Sequence, residues 1–150
     1  MPSSYTCLNY HLIWSTKYRK PLLPDDVRER LFQYLGGILR NDGGTLFAAG
    51  GMPDHVHLLA DIGKRHSIAD AVRDMKANSS KWIHETVPEL RAFAWQTGYG
   101  AFTVSYSNVD AVKAYIANQA EHHRRRSFQE EFVDFLQRHG VTYNEQYLWE

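Results

Sequence analysis

Apolar and polar positions along this chain follow two periods, and their order outlines a fold. Tyr5 to Ser15 alternates in part and is rich in aromatic and branched residues, Tyr10, Leu12, Ile13 and Trp14 among them, which predicts a first strand. Lys17-Tyr18-Arg19-Lys20-Pro21 leaves it as a basic loop. Pro24-Asp25-Asp26 then opens a helix. Proline suits a first turn, acids favour the positive end of the dipole, and Val27, Leu31, Tyr34 or Leu35, and Ile38 recur at helical spacing. Asn41-Asp42-Gly43-Gly44 stops that helix. Thr45 to Ala49 reads as a short apolar strand. After a Gly50-Gly51-Met52-Pro53 turn, His55-Val56-His57-Leu58-Leu59-Ala60 returns beside it as a hairpin.

Ser67-Ile68-Ala69-Asp70 has capping-box form and starts a second helix. Ile68, Val72, Met75, Trp82 and Ile83 lie on its inner side, Arg73, Lys76 and Lys81 on its outer side, and Pro88 bounds its end. Trp95 to Ser105 predicts a last strand or two, broken by Gly98 and Gly100. Strand, helix, strand, strand, helix, strand is the order of a ferredoxin-like α+β sandwich, an antiparallel sheet with helices on one face. A helical tail follows. Ser107-Asn108-Val109-Asp110 reads as a capping box for a helix with Val109, Val112 and Ile116 inside. Ser127-Phe128-Gln129-Glu130 reads as another, with Phe128, Phe132, Phe135 and Leu136 apolar and Gly140 at the end. Val141-Thr142-Tyr143 and Tyr147-Leu148-Trp149 can pack as a strand and an aromatic clasp. With no repeat or linker in it, the chain reads as one domain over residues 1–150.

Composition narrows the class. With 150 residues, 43% of them hydrophobic, the chain can bury one core. Its apolar runs fall well short of the roughly 18 residues a membrane span requires, and its first residues carry no signal pattern, so no membrane partner and a cytoplasmic location are expected. A single cysteine, Cys7, excludes an internal disulfide and a thiolate zinc site, so any metal is held by nitrogen and oxygen. The net charge is zero, yet Lys17, Arg19 and Lys20 form one basic run and Arg124-Arg125-Arg126 another, while acids gather at Glu130-Glu131-Asp134. Local basic patches on a neutral body suit a specific nucleic-acid contact better than indiscriminate coating.

The candidate chemistry begins at His55 and His57. On a strand both project from one face, two nitrogen ligands side by side, with Val56 and Leu58 entering the core behind them. A catalytic ion needs a further protein ligand, and the best candidate lies in Tyr115-Ile116-Ala117-Asn118-Gln119, where residues four apart share a helical face. A divalent ion on His55, His57 and the amide oxygen of Gln119 polarises a phosphodiester, and Tyr115 beside it attacks to give a phosphotyrosine. No Gly-x-x-x-x-Gly-Lys-Ser/Thr loop is present, and the covalent link makes a nucleotide cofactor unnecessary. Asp54 is either an orienting partner of His55 or a turn residue. His122 and His123 read as facing solvent or DNA, with an auxiliary metal role as the lesser alternative. Trp82, Trp95 and Trp149 read as core, Trp95 also as able to stack a base.

Pro53-Asp54-His55-Val56-His57-Leu58-Leu59, with Tyr115-Ile116-Ala117-Asn118-Gln119 downstream, resembles the single-tyrosine HUH transposases of insertion-sequence 200/605 type, which include the REP-associated tyrosine transposases. Ser15 to Pro21, Gly98 to Phe102 and Tyr147-Leu148-Trp149 look like further signatures of that family, so the likeness extends over nearly the whole chain. It implies an RRM-related homodimer that cuts and rejoins single-stranded DNA with hairpins. Mg2+ or Mn2+ would sit on His55, His57 and Gln119, and Tyr115 would form a 5′-phosphotyrosine. Lys17, Arg19 and Lys20, then Arg124, Arg125 and Arg126, would hold the DNA. Family members share active sites between subunits, for which the Gly98–Gly100 region and Ser107-Asn108 offer hinges. A domesticated enzyme acting on chromosomal hairpin repeats would look the same in sequence. A non-catalytic nucleic-acid-binding module would be expected to have lost one of His55, His57, Tyr115 and Gln119, and all four are present.

Overall fold

The computed structural model describes residues 3–150. Met1 and Pro2, part of the stretch read as carrying no signal pattern, lie outside the described residues. Strands β1 (Asn9–Ser15), β2 (Thr45–Met52), β3 (His55–Asp61) and β4 (Gly100–Val104) form one antiparallel sheet in the order β2-β3-β1-β4. Helices α1 (Asp25–Asn41) and α2 (Ile68–Thr86) make the two crossovers, which completes the expected ferredoxin-like arrangement.

Strand register sorts side chains between the two faces. Leu12 pairs with Leu58 and Trp14 with Val56; these face α1 and α2 and form the main core with Leu31, Leu35, Met75 and Ile83. Ile13 pairs with His57, Ser15 with His55, and His11 with both Leu59 and Phe102 on the opposite face. That face is covered by the tail: α3 (Val109–Ala117), a single turn α4 (Gln119–His122), and α5 (Phe128–Arg138). Ile116 packs on Leu59 and Val104, while Phe128, Phe132 and Leu136 pack on Ile13 and Phe102. Helices therefore cover both faces, two from the sandwich and three from the tail.

Local chemistry accounts for the ends. Asp25 and Asp26 occupy the first turn of α1, and Val27, Leu31, Leu35 and Leu39 bury one stripe, so of Tyr34 and Leu35 it is Leu35 that enters the core, and Leu39 takes the place expected of Ile38. The Ser67 and Ser127 hydroxyls accept from the Asp70 and Glu130 amides at 3.1 and 3.2 Å, as their capping boxes predict. Ser107 does not cap α3. It lies in a short 3-10 turn, Tyr106–Asn108, and Asn108 precedes the helix without a side-chain cap.

Four further expectations shift. The first strand begins at Asn9, not Tyr5. Gly50, Gly51 and Met52 belong to β2, paired with His57, Val56 and His55, so the hairpin turns on Pro53-Asp54 alone. A Cβ on Gly50 would collide with the Ile116 carbonyl, so this glycine is there to let α3 lie directly on β2. Gly100 likewise sits in β4 beneath the Phe132 ring, a packing position for α5. Val141-Thr142-Tyr143 forms no strand, whereas Leu148 and Trp149 do close over the Phe128-Phe132 cluster.

Candidate active site

His55 and His57 stand on the tail-facing side of β3, both fully buried. Each is held from behind. His55 Nδ1 donates to Asp54 Oδ1 at 2.7 Å, so the turn residue does orient the imidazole; burial pushes that carboxylate up, but this bond, the His55 charge and a backbone hydrogen bond together keep Asp54 below its ordinary pKa. His57 Nδ1 lies 2.8 Å from His11 Nε2 on the neighbouring strand. Both Nε2 atoms are thereby turned toward the tail. The Phe128 ring stacks on His55 at 4.3 Å and closes the face.

The tail supplies the rest. Asn118 leaves helical geometry between α3 and α4, so Tyr115 and Gln119 are not on one continuous helix as expected, yet both arrive at the histidines. Gln119 Oε1 is 3.1 Å from His55 Nε2 and 3.1 Å from His123 Nε2. Glu131, reaching in from α5 and fully buried, joins the pieces: Oε1 lies 2.9 Å from His57 Nε2 and 3.2 Å from His123 Nε2, while Oε2 accepts from the Tyr115 hydroxyl and, at 3.4 Å, from Gln119 Nε2. His122 stacks on the Tyr115 ring at 4.2 Å.

Three imidazole nitrogens and a carboxylate, one donor atom each, converge within 4.8 Å of one another at His55, His57, His123 and Glu131. With Gln119 Oε1 among them, acceptor faces acceptor unless a cation, a proton or a metal, lies between. The donor set is all nitrogen and oxygen, buried, and backed by Asp54 and His11, so it fits a divalent ion of the borderline or hard kind. The same carboxylate that would hold the ion touches a phenol, and that pairing is the chemical signature of the site.

The family description "Transposase IS200 like" matches residues 4–119, more than half of the chain. The chain belongs to this transposase family. It is 32% identical over 117 residues to the ISDra2 transposase TnpA of Deinococcus radiodurans, covering 75% of this chain and 84% of that protein. It is 26% identical over 118 residues to the transposase for insertion sequence element IS200 of Salmonella typhimurium, 75% and 76% covered. Among solved structures, a candidate transposase of D. radiodurans R1 superposes with a TM-score of 0.64 at 34% identity, over 79% of this chain and 96% of that one. A REP-associated tyrosine transposase bound to a REP hairpin shares the fold, with a TM-score of 0.58 at 13% identity, over 82% and 74% of the two chains.

In this IS200-like transposase the match ends at residue 119, short of Tyr147-Leu148-Trp149 and of the whole α5 contribution. His123, read first as facing solvent or DNA and only second as an auxiliary ligand, sits in the cluster. Glu131 was read only as part of an acidic run. A signal did exist, because Glu131 falls on the apolar stripe of α5 with Phe128, Phe132 and Phe135, where a solvated acid does not belong. His11 carried no signal beyond lying in a strand. Trp95 is core: it meets Trp14 edge-on and donates to Ser79 at 3.0 Å. The basic candidates separate by environment. Arg19 lies over the Trp149 ring at 5.1 Å, Arg124 pairs with Glu121, and Arg126 pairs with Asp134 and reaches Tyr115. Lys17, Lys20 and Arg125 are exposed. Pro21, Asp54 and Arg124 to Arg126 line one open cleft of about 570 Å³, so the second basic run borders a depression that Lys17, Arg19 and Lys20 do not line.

Burial sets the proton balance. It pushes His11 down to about 3 and His57 to about 4, from an ordinary 6.5. The unfolded chain therefore takes up protons, as pH falls from about 6.5 toward 4, that the folded chain refuses, and stability drops with pH across that window. His123 has the opposite sign: burial opposes its charge, but Glu131 outweighs burial and raises it, so its contribution is present at low pH and fades as pH rises through its folded pKa. Among the three histidines two oppose one, and the lowered carboxyls of Asp54 and Glu131 add to the loss at low pH. The thermal midpoint of the metal-free protein is expected to fall from pH 7 to pH 4.5, and His11→Gln to flatten that slope. A midpoint constant over the range would show that these histidines are not buried neutral.

Proposed function

We propose that this transposase cleaves and rejoins single-stranded DNA at hairpin-bearing ends of an insertion sequence, with Tyr115 as the nucleophile. The observation that carries the reading is Glu131, which places the Tyr115 hydroxyl on one carboxylate oxygen and the Nε2 atoms of His57 and His123 on the other. Hairpin DNA as substrate is supported by the relative solved with a REP hairpin, which shares this fold. His55, His57 and Gln119, with His123 and Glu131 added, would hold Mg2+ or Mn2+, which supplies a Lewis acid for a non-bridging phosphate oxygen.

The residues divide the work. Asp54 and His11 fix the imidazoles, Phe128 excludes water from behind them, and Glu131 aims the phenol. In the transfer step Tyr115 Oη forms a bond to phosphorus as the bond from phosphorus to the 3′ oxygen breaks. The electron pair goes to that oxygen, and the phenolic proton, handed through Glu131, ends on it, leaving a 3′-hydroxyl and a 5′-phosphotyrosine. Rejoining is the reverse with another 3′-hydroxyl. One domain, residues 1–150, carries all these groups. The homodimer implied by the resemblance would then hold a whole site in each protomer, at work in the cytoplasm, with no nucleotide cofactor.

Incubation with single-stranded DNA from the protein's own locus tests this. With Mn2+ or Mg2+ a covalent adduct mapping to Tyr115 is expected on a denaturing gel, and chelation should remove it. An adduct formed equally well in chelator would end the metal assignment. Binding without any adduct would reduce the protein to a nucleic-acid-binding module.

A further inference from the structure

We propose that Arg126 is a catalytic residue whose guanidinium binds a non-bridging oxygen of the scissile phosphate at the Tyr115 hydroxyl. The inference rests on Tyr115 being the nucleophile, and it concerns a residue beyond the segment that the family description matches. Arg126 Nη2 lies 3.4 Å from Tyr115 Oη, and Nη1 lies 3.2 Å from Asp134 Oδ2, so the group is steered onto the phenol by a partner on α5.

Geometry decides where a phosphate can enter. Side-chain exposure is 0% at His55 and at His57, 8% at His123 and 30% at Arg126. The buried end of the site is closed by Phe128, and Arg126 stands at its open end, lining clefts on two sides. A phosphodiester approaching Tyr115 Oη from these clefts meets the guanidinium.

Electrostatics favours a cation there. The Glu131 carboxyl lies directly against the nucleophile. A phosphate brought to Tyr115 Oη comes up against that carboxyl in a half-buried setting, where charge interactions are several-fold stronger than in water. Among the described residues, Arg126 is the cation that touches the phenolic oxygen. Its planar fork has five donors, of which two have protein partners, and it matches the paired oxygens of a phosphate as a lysine cannot. As the bond to phosphorus forms and the bond to the 3′ oxygen breaks, charge gathers on the equatorial oxygens, which is where such a fork acts.

The test is the single-turnover rate of adduct formation with Mn2+ and single-stranded DNA from the protein's own locus. Arg126→Ala is expected to lower that rate about 10²- to 10³-fold, Arg126→Lys to fall between, and added guanidinium to restore part of the alanine variant's rate. DNA affinity in chelator should change no more than about threefold, because one phosphate contact among several is lost. Asp134→Asn breaks the same ion pair but keeps the guanidinium, and should lose far less rate. Three results would overturn the assignment: an Arg126→Ala rate within threefold of wild type, no rescue by guanidinium, or an equal loss in Asp134→Asn, which marks a purely structural pair. A wild-type protein that forms no adduct at Tyr115 overturns the underlying reading, and the Arg126 assignment with it.

Discussion

Tyr115→Phe is expected to abolish the covalent protein–DNA adduct while leaving a folded protein that still binds the DNA. The substitution removes one atom, the oxygen that meets Glu131 Oε2 and Arg126 Nη2, and keeps the ring that stacks against His122. Loss of a nucleophile costs on the order of 10⁴- to 10⁶-fold in rate, because without the attacking atom only positioning and electrostatic terms remain. The cost in stability is far smaller, roughly 1.5–3 kcal/mol for a hydrogen bond to a charged group, and a domain of this size tolerates that. Denaturing gels of Tyr115→Phe beside wild type, with DNA affinity measured in parallel, give the result. An adduct persisting at the wild-type rate would move the nucleophile to another residue.

Glu131→Ala carries the second large effect, and here stability and chemistry fall together. The carboxylate is buried with His57, His123, Tyr115 and Gln119 all directed at it. Removing it leaves His123 without the carboxylate that raises its pKa, and several polar groups facing a cavity. Breaking a buried charged partnership in this way costs roughly 3–5 kcal/mol. His123, no longer raised by its partner, should titrate lower by NMR, and Mn2+ affinity should drop at least about 10- to 100-fold. Glu131→Gln keeps the volume and separates charge from shape: it should recover most of the unfolding free energy in urea while leaving metal binding weak. If both variants bind Mn2+ as wild type does, Glu131 is a structural acid and the metal rests on His55, His57, Gln119 and His123.

The His-x-His pair was legible because the strand period is two. Residues 55 and 57 must share a face wherever the strand pairs, and with Val56 and Leu58 buried in the core that face is the opposite one. The two helical stripes, the capping boxes at Ser67 and Ser127, and the ferredoxin-like order are equally local properties. Gly50 was misread as a turn residue for the complementary reason. A glycine needed for close approach looks the same in sequence as one needed for a turn, and only the position of the Ile116 carbonyl separates them.

Periodicity and capping thus determined which elements form, which face each one buries, and that two histidines and a tyrosine with a glutamine four residues on are available for chemistry. Tertiary structure alone decided who meets whom. Glu131 and His123 enter the site, and Arg126 reaches the phenol, because α5 docks its aromatic stripe on Ile13 and Phe102. That docking is selected by apolar area buried between segments far apart in the chain. The local period fixes the stripe and carries no information about the surface that will receive it.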